Sequence, residues 1–257
     1  MNPIKRFRVI PCLLLKGPGL YKTVKFKDPK YVGDPINAVR IFNEKEVDEL
    51  IFLDIEASKN KTPINLTTLK NIASECFMPL CYGGGIRSLQ DIESLLKLGV
   101  EKVALNSVTY ENPNLVQEAC QRFGGSTVVA SIDYRKSMFG SYLCYSHSNT
   151  KNHNLKLVDR AKQLADWGVG EILLNNIDQD GTMSGFDLTS IRSVTSVVNV
   201  PVIACGGAGS LSHLRAAVHD AGASAVAAGS FFVFVGKHRA VLITYPSQAN
   251  LREQVYQ

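Results

Sequence analysis

The stretch PLCYGGGIRSLQDIESLLKLGVEKVALNS, residues 79–107, holds a short apolar run, a glycine-rich turn, an amphipathic segment with helical spacing and a second apolar run. That order is a strand, a helix and the next strand of a parallel sheet, because parallel neighbours need a crossover and a helix supplies it. A second stretch, PVIACGGAGSLSHLRAAVHDAGASAVAAGS at 201–230, repeats the pattern 122 positions later, and ELIFLDIEAS from Glu49 matches EILLNNIDQD from Glu171 at the same offset. Such self-similarity marks a duplicated unit. Continued backward, the alignment sets RVIPCLL (8–14) against TVVASID (127–133), so Leu14 is the symmetry mate of Asp133.

Eight strand candidates follow from this repeat: 7–14, 49–55, 79–82, 101–106, 126–133, 170–176, 201–205 and 224–229. Helical patterns such as NLKLVDRAKQLADWGVG separate them, and GDPINAVRIFNEKEV carries a helix start with Asp34 as N-cap and Pro35 at the first helical position. The expected fold is therefore a (β/α)8 barrel made of two half-barrels. At 257 residues with 45% hydrophobic content, one domain spanning 1–257 is the expectation, since barrels of this kind have about this length. The stretch RVIPCLLLKGPGLYKTVKF (8–26) reads as the first strand followed by a mobile basic loop.

A formal charge of +5 suits anionic small molecules, and the basic residues are scattered rather than run together, so nucleic acid is not indicated. No apolar run reaches membrane-spanning length, and the basic start before residue 11 lacks the cleavage site of a leader. The cysteines at 12, 76, 81, 120, 144 and 205 form no CxxC pair and read as buried thiols of a cytoplasmic protein. The histidines at 147, 153, 213, 219 and 238 have no metal-ligand spacing; His213 and His219 read as surface residues, and neither metal nor cofactor is expected.

YGGGIRS (82–88) and CGGAGS (205–210) each follow a strand and open a helix, where glycines let backbone N–H groups approach an anion closely. Each half adds a small-residue turn after its next strand, LNSVT (105–109) and AAGS (227–230). Two phosphate sites follow, with Gly84, Gly85, Asn106 and Ser107 in one and Gly206, Gly207, Gly229 and Ser230 in the other; Asp180 and Gly181 are candidate additions. Their pairing points to a phosphorylated small molecule with phosphates at both ends.

These residues, together with GDP (33–35), DELIFLDI (48–55), GVEKVALNS (99–107), SID (131–133) and GEILLNNIDQDGT (170–182), resemble the cyclase subunit of imidazole glycerol phosphate synthase. The resemblance runs to about residue 233. It implies a barrel that receives ammonia from a glutaminase docked at its N-terminal face and closes an imidazole ring with two aspartates at the C-terminal mouth. Asp133 matches one aspartate. The other position is Leu14, which carries no proton and accepts no hydrogen bond.

Loss of an acid or base group costs about 10²- to 10⁴-fold in rate, so ordinary cyclase activity should be impaired unless Lys16, Lys22 or Asp54 takes over the proton work. Lys22 matches the family's mobile-loop lysine. At the opposite mouth Arg8, Glu49, Lys102 and Glu171 match the family's charged ring, read either as an ammonia gate or as a salt-bridge network.

The tail FFVFVGKHRAVLITYPSQANLREQV departs from the family's last helix. With the Leu14 stretch, it resembles a divergent branch associated with acetamidino modification of surface-polysaccharide sugars, where a glutaminase, a cyclase-like barrel and a sugar amidotransferase occur together. The competing readings are the histidine-pathway cyclase itself and the sister barrel isomerase; the charged ring and DQDGT (178–182) count against the isomerase. The segment 134–154 resembles a hairpin that either orders over a ligand or caps the barrel, and KHRAVLITYP (237–246) is open between a last-helix variant and a contact surface.

Overall fold

The computed structural model describes residues 6–146 and 150–257; His147 lies outside the described residues. In chain order the strands are β1 (Arg8–Lys16), β2 (Gly19–Val24), β3 (Lys27–Gly33), β4 (Leu50–Asp54), β5 (Leu80–Gly83), β6 (Lys102–Leu105) and β7 (Val128–Lys136). After these come β8 (Tyr142–Ser146), β9 (Lys151–Lys156), β10 (Glu171–Asn176), β11 (Val202–Cys205), β12 (Ala225–Ala228), β13 (Phe234–Val235) and β14 (Ala240–Val241). Eight of them, in the order β1-β4-β5-β6-β7-β10-β11-β12, pair in parallel and close on themselves through β12 and β1. This is the (β/α)8 barrel expected from the repeat.

Short polar side chains start the intervening helices. Asp34 accepts from the Asn37 amide at 2.9 Å with Pro35 in the first turn, and Ser88 and Asp91 cap each other's backbone reciprocally. Among the described residues no helix is long and apolar enough to cross a membrane. All six cysteines are free thiols, with 12, 81, 144 and 205 buried and 76 and 120 partly so.

Strand periodicity divides the core. On β1, Val9, Leu13 and Leu15 face outward into the sheet–helix layer, whereas Ile10 and Cys12 join a separate interior cluster with Ile51, Cys81, Leu173 and Ile203. Leu14 also points inward and lines the mouth. The three consecutive leucines thus serve two surfaces, and only the middle one sits where a catalytic group would stand.

Two antiparallel excursions rise from symmetry-related strands: β2–β3 on β1, and β8–β9 on β7. The stretch after the first strand, expected as a loop, forms a β-hairpin. The hairpin expected over 134–154 is present as the β7–β8–β9 meander. At the other end, KHRAVLITYP forms no helix. After β13–β14 the chain runs extended, the Tyr245 hydroxyl donates to the Val9 carbonyl at 2.9 Å, and Ser247 caps a terminal helical segment from Gln248 that buries Leu251, Val255 and Tyr256.

Candidate functional site

The C-terminal ends of the barrel strands open into one cavity of about 410 Å³. Both glycine-rich turns line it, with Gly84 and Gly85 after β5 and Gly206 and Gly207 after β11. So do Asn106 and Ser107 after β6, Gly229 and Ser230 after β12, and Asp133, Asp180, Gly181, Lys22 and Leu14. The sequence-predicted mouth residues are brought together, while the four charged-ring residues lie at the other end of the strands.

The glycines are sterically required. Gly207 has φ +116°, and a Cβ there would stand 2.0 Å from the Gly185 carbonyl oxygen. At Gly229 a Cβ would meet the Cys12 carbonyl oxygen and Cε of Lys22, both at 2.9 Å. Glycine at 229 therefore makes room for the lysine stem. The Ser230 hydroxyl is buried and has no hydrogen-bond partner among the described residues, an arrangement that favours an incoming acceptor. One predicted donor is already engaged, since the Gly85 amide donates to Ser58 Oγ at 3.1 Å. Sequence reading did not single out Ser58, which has no motif around it.

Asp133, 8% exposed, receives Asn106 Nδ2 on Oδ2 at 2.7 Å and Asn175 Nδ2 on Oδ1 at 3.3 Å. Burial pushes its pKa from 3.8 up to about 7; the nearby Asp180 charge adds to the rise, and the two amide donors oppose it. A carboxyl poised there can hold and release a proton near neutral pH. The Asn106 amide nitrogen therefore serves Asp133. Asn175 completes this pair and was missed from sequence, where NN at 175–176 carries no recognisable signal.

Lys22 is 7% exposed. Its Nζ donates to Asp180 Oδ1 at 2.6 Å and to the Thr23 carbonyl at 3.0 Å. Asp180 also accepts from Thr23 Oγ1 at 2.7 Å and the Phe26 amide at 3.2 Å. Its carboxylate is thus spent on the β2–β3 hairpin rather than offered to an anion, and the hairpin is pinned over the mouth. Lys16 pairs with Glu56 at 2.9 Å, and Asp54 Oδ1 accepts the Glu56 and Ala57 amides at 3.0 and 2.9 Å. Lys16 and Lys22 are thus each paired with a carboxylate, and Asp54 caps backbone amides through Oδ1.

At the N-terminal end Arg8 reaches Glu49 at 2.5 Å and Glu171 at 2.8 Å, and Lys102 reaches Glu49 at 3.0 Å and Glu171 at 3.3 Å. The four close into a ring of alternating sign. Burial works against the Arg8 charge, but the Glu171 and Glu49 carboxylates outweigh it and its pKa is raised. Between ring and mouth the interior is lined by apolar side chains and thiols, among them Ile10, Cys81, Ala104, Val129, Ala225 and Ala227.

His213 is half-buried, its Nδ1 accepting from the Gly209 amide at 3.2 Å; His219 is exposed and contacts the Val255 carbonyl at 2.8 Å.

Comparison with known proteins gives concordant results. The family model for the histidine biosynthesis protein matches residues 8–238. A Pseudomonas aeruginosa protein described as "Putative imidazole glycerol phosphate synthase subunit hisF2" is 54% identical over 241 residues, covering 94% of this chain and 96% of its own. A Vibrio vulnificus protein of the same description, designated hisF3, is 47% identical, covering 96% of each chain. A third from Leptospira borgpetersenii is 46% identical over 94% of this chain and 96% of its own.

Proposed function

The chain belongs to the histidine biosynthesis protein family, as a divergent barrel of the imidazole glycerol phosphate synthase cyclase type, and from that premise we propose that it conducts ammonia and no longer closes rings efficiently. A glutaminase docks at the N-terminal face, ammonia passes the Arg8–Glu49–Lys102–Glu171 ring, and the apolar interior carries it to the mouth. There it is delivered for acetamidino formation on an N-acetylated sugar of surface polysaccharide by a sugar amidotransferase, all within the cytoplasm. One observation carries the reading: position 14 faces the mouth with a leucine, while Lys16 and Lys22 are each paired with a carboxylate and Asp54 caps backbone amides through Oδ1.

The chemistry is consistent. Neutral ammonia crosses an apolar lining at far lower cost than ammonium, whose charge would lose its hydration. Transfer inside the complex keeps the nucleophile unprotonated and away from water. Opening the gate requires the ring to part, which a docked partner competing for Lys102 or Arg8 can achieve. At the mouth Asp133 is suited to exchange a proton with nitrogen arriving as ammonia, and the two glycine turns, with Ser107 and Ser230, hold a phosphorylated ligand as substrate relic or regulator. The second reading, a histidine-pathway cyclase, is supported by the retained Asp133 and both turns.

Reconstitution with glutaminase and sugar amidotransferase, using glutamine labelled with ¹⁵N in its side-chain amide, tests the proposal. Label in the amidine nitrogen, undiluted by unlabelled ammonium in the buffer, is expected. Label fully diluted by external ammonium would overturn it.

A further inference from the structure

Beside the mouth lies a buried guanidinium that the proposed chemistry does not use. Arg160, on the helix Leu157–Asp166, is 2% exposed, and among the described residues no carboxylate pairs with it. Its planar faces stack on aromatic rings, with the guanidinium carbon 4.2 Å from the Tyr110 centroid and 5.0 Å from that of Trp167. Tyr110 in turn stacks on His153 at 3.6 Å and 7°, and the His153 ring nitrogen meets Ser146 Oγ at 2.7 Å. A buried cation without an anion stabilises a fold poorly, so the directions of its hydrogen bonds are informative.

Two of them leave the guanidinium. Nη1 donates to Gln163 Oε1 on the same helix, and Nη2 donates to Thr109 Oγ1, each at 2.6 Å. Thr109, 0% exposed, passes its own hydroxyl proton to the Asn106 carbonyl at 2.6 Å. Asn106 stands at the start of the short helix Ser107–Glu111 with φ −119° and ψ −82°, outside the helical and extended basins, and its side chain reaches Asp133 at 2.7 Å. Three consecutive short hydrogen bonds therefore run from a fixed cation to the carboxyl at the mouth. The Asn106 carbonyl also accepts from the Thr109 backbone amide at 2.9 Å, so the hydroxyl is the second donor that Thr109 sets on it, and the two together hold the Asn106 backbone with its amide against Asp133 Oδ2.

We propose that Arg160, acting through Thr109, is a positioning residue that holds Asn106 against Asp133. The inference rests on Asp133 being the proton-handling group of the proposed function. Without the brace, the Asn106 carbonyl keeps only the Thr109 backbone amide, the closer amide donor to Asp133 is held less firmly, and the Asp133 proton is held more tightly because a donor to the carboxylate favours ionisation. Other charged or titratable groups that act on Asp133 or the brace are Asp180 with its Lys22 partner, and Tyr110 and Cys144 on the Arg160 side.

The test is the titration midpoint of Asp133, followed through its carboxyl carbon in ¹³C-aspartate protein and assigned with D133N. T109V removes the hydroxyl at nearly constant volume, T109S restores it, and R160Q removes the cation. The midpoint should rise in T109V by up to about one pH unit, the bound set by complete loss of the Asn106 hydrogen bond to the ionised carboxylate. It should rise in R160Q as well, and return to the wild-type value in T109S. If T109V does not fold, T109A removes the same hydroxyl without added branching. A folded T109V or T109A with the wild-type midpoint overturns the brace. A wild-type midpoint near 4 instead overturns the proton-handling reading of Asp133, so the two failures are distinguishable.

Discussion

Asp133→Asn isolates the energetic consequence of the buried mouth carboxyl. Its pKa lies at about 7 in the fold against an ordinary 3.8. The native state therefore binds the proton more tightly than the unfolded chain does. The favourable contribution is fully present below pH 4 and is lost as pH rises, the loss completing just above 7. At about 1.4 kcal/mol per decade of proton affinity, the span bounds the loss at about 4 kcal/mol. The substitution removes this dependence. It also presents an N–H where Asn106 donates, but the Asn106 amide can flip, because its Oδ1 is buried without a partner among the described residues and can accept from the new group. The expected result is a variant within about 1 kcal/mol of wild type at pH 4.5, the worth of one altered hydrogen bond, and more stable by up to about 4 kcal/mol at pH 8. Urea unfolding of both proteins across this range measures the difference directly. Using the difference matters, because exposed carboxyls such as Glu75, lowered by its hydrogen bond from Arg40, give the opposite slope and cancel between the two proteins. Parallel stability profiles for wild type and D133N would refute the assignment of a raised pKa to Asp133.

Two further substitutions probe the ends of the barrel. Lys102→Met leaves Glu49 and Glu171 with Arg8 alone, and unfolding in urea should show a loss of about 3 kcal/mol, the usual cost of breaking a buried pair; an unchanged midpoint would mean the ring is not closed in solution. Lys22→Met leaves Asp180 without its cation, so β2–β3 should be held more weakly to Asp180, through Thr23, Lys25 and Phe26 alone, and be cleaved by protease within residues 19–33 about tenfold faster, a loss of about 1.4 kcal/mol in local opening, read by mass spectrometry of the first fragments.

How much of this was legible beforehand follows the physics of each element. The eight barrel strands were found to within a few residues because their apolar runs are bounded by glycines and polar turns, and because the half-barrel repeat fixes them twice. The β2–β3 excursion was not, since KTVKFKDPKYV reads as basic and solvent-loving; its order depends on Lys22 finding Asp180, 158 positions away. Gly84 and Gly207 could be placed at the mouth because their motif is local. The support of Asp133 could not, because Asn106, Asn175 and Arg160 converge from three different strand–helix units. The tail resisted for a related reason: its apolar residues Tyr245, Leu251 and Val255 are spaced for docking on the barrel rather than for one continuous helix.

The absence of a proton-handling group at position 14 is tested most directly by ring closure itself. Purified protein, the bisphosphorylated aminoimidazole precursor and excess ammonium salt are combined, and imidazole formation is followed for wild type and Leu14→Asp. Wild-type turnover about 10²- to 10⁴-fold below that of a two-aspartate cyclase, recovering substantially in L14D, is the predicted result. Brisk turnover by the unaltered chain would contradict it.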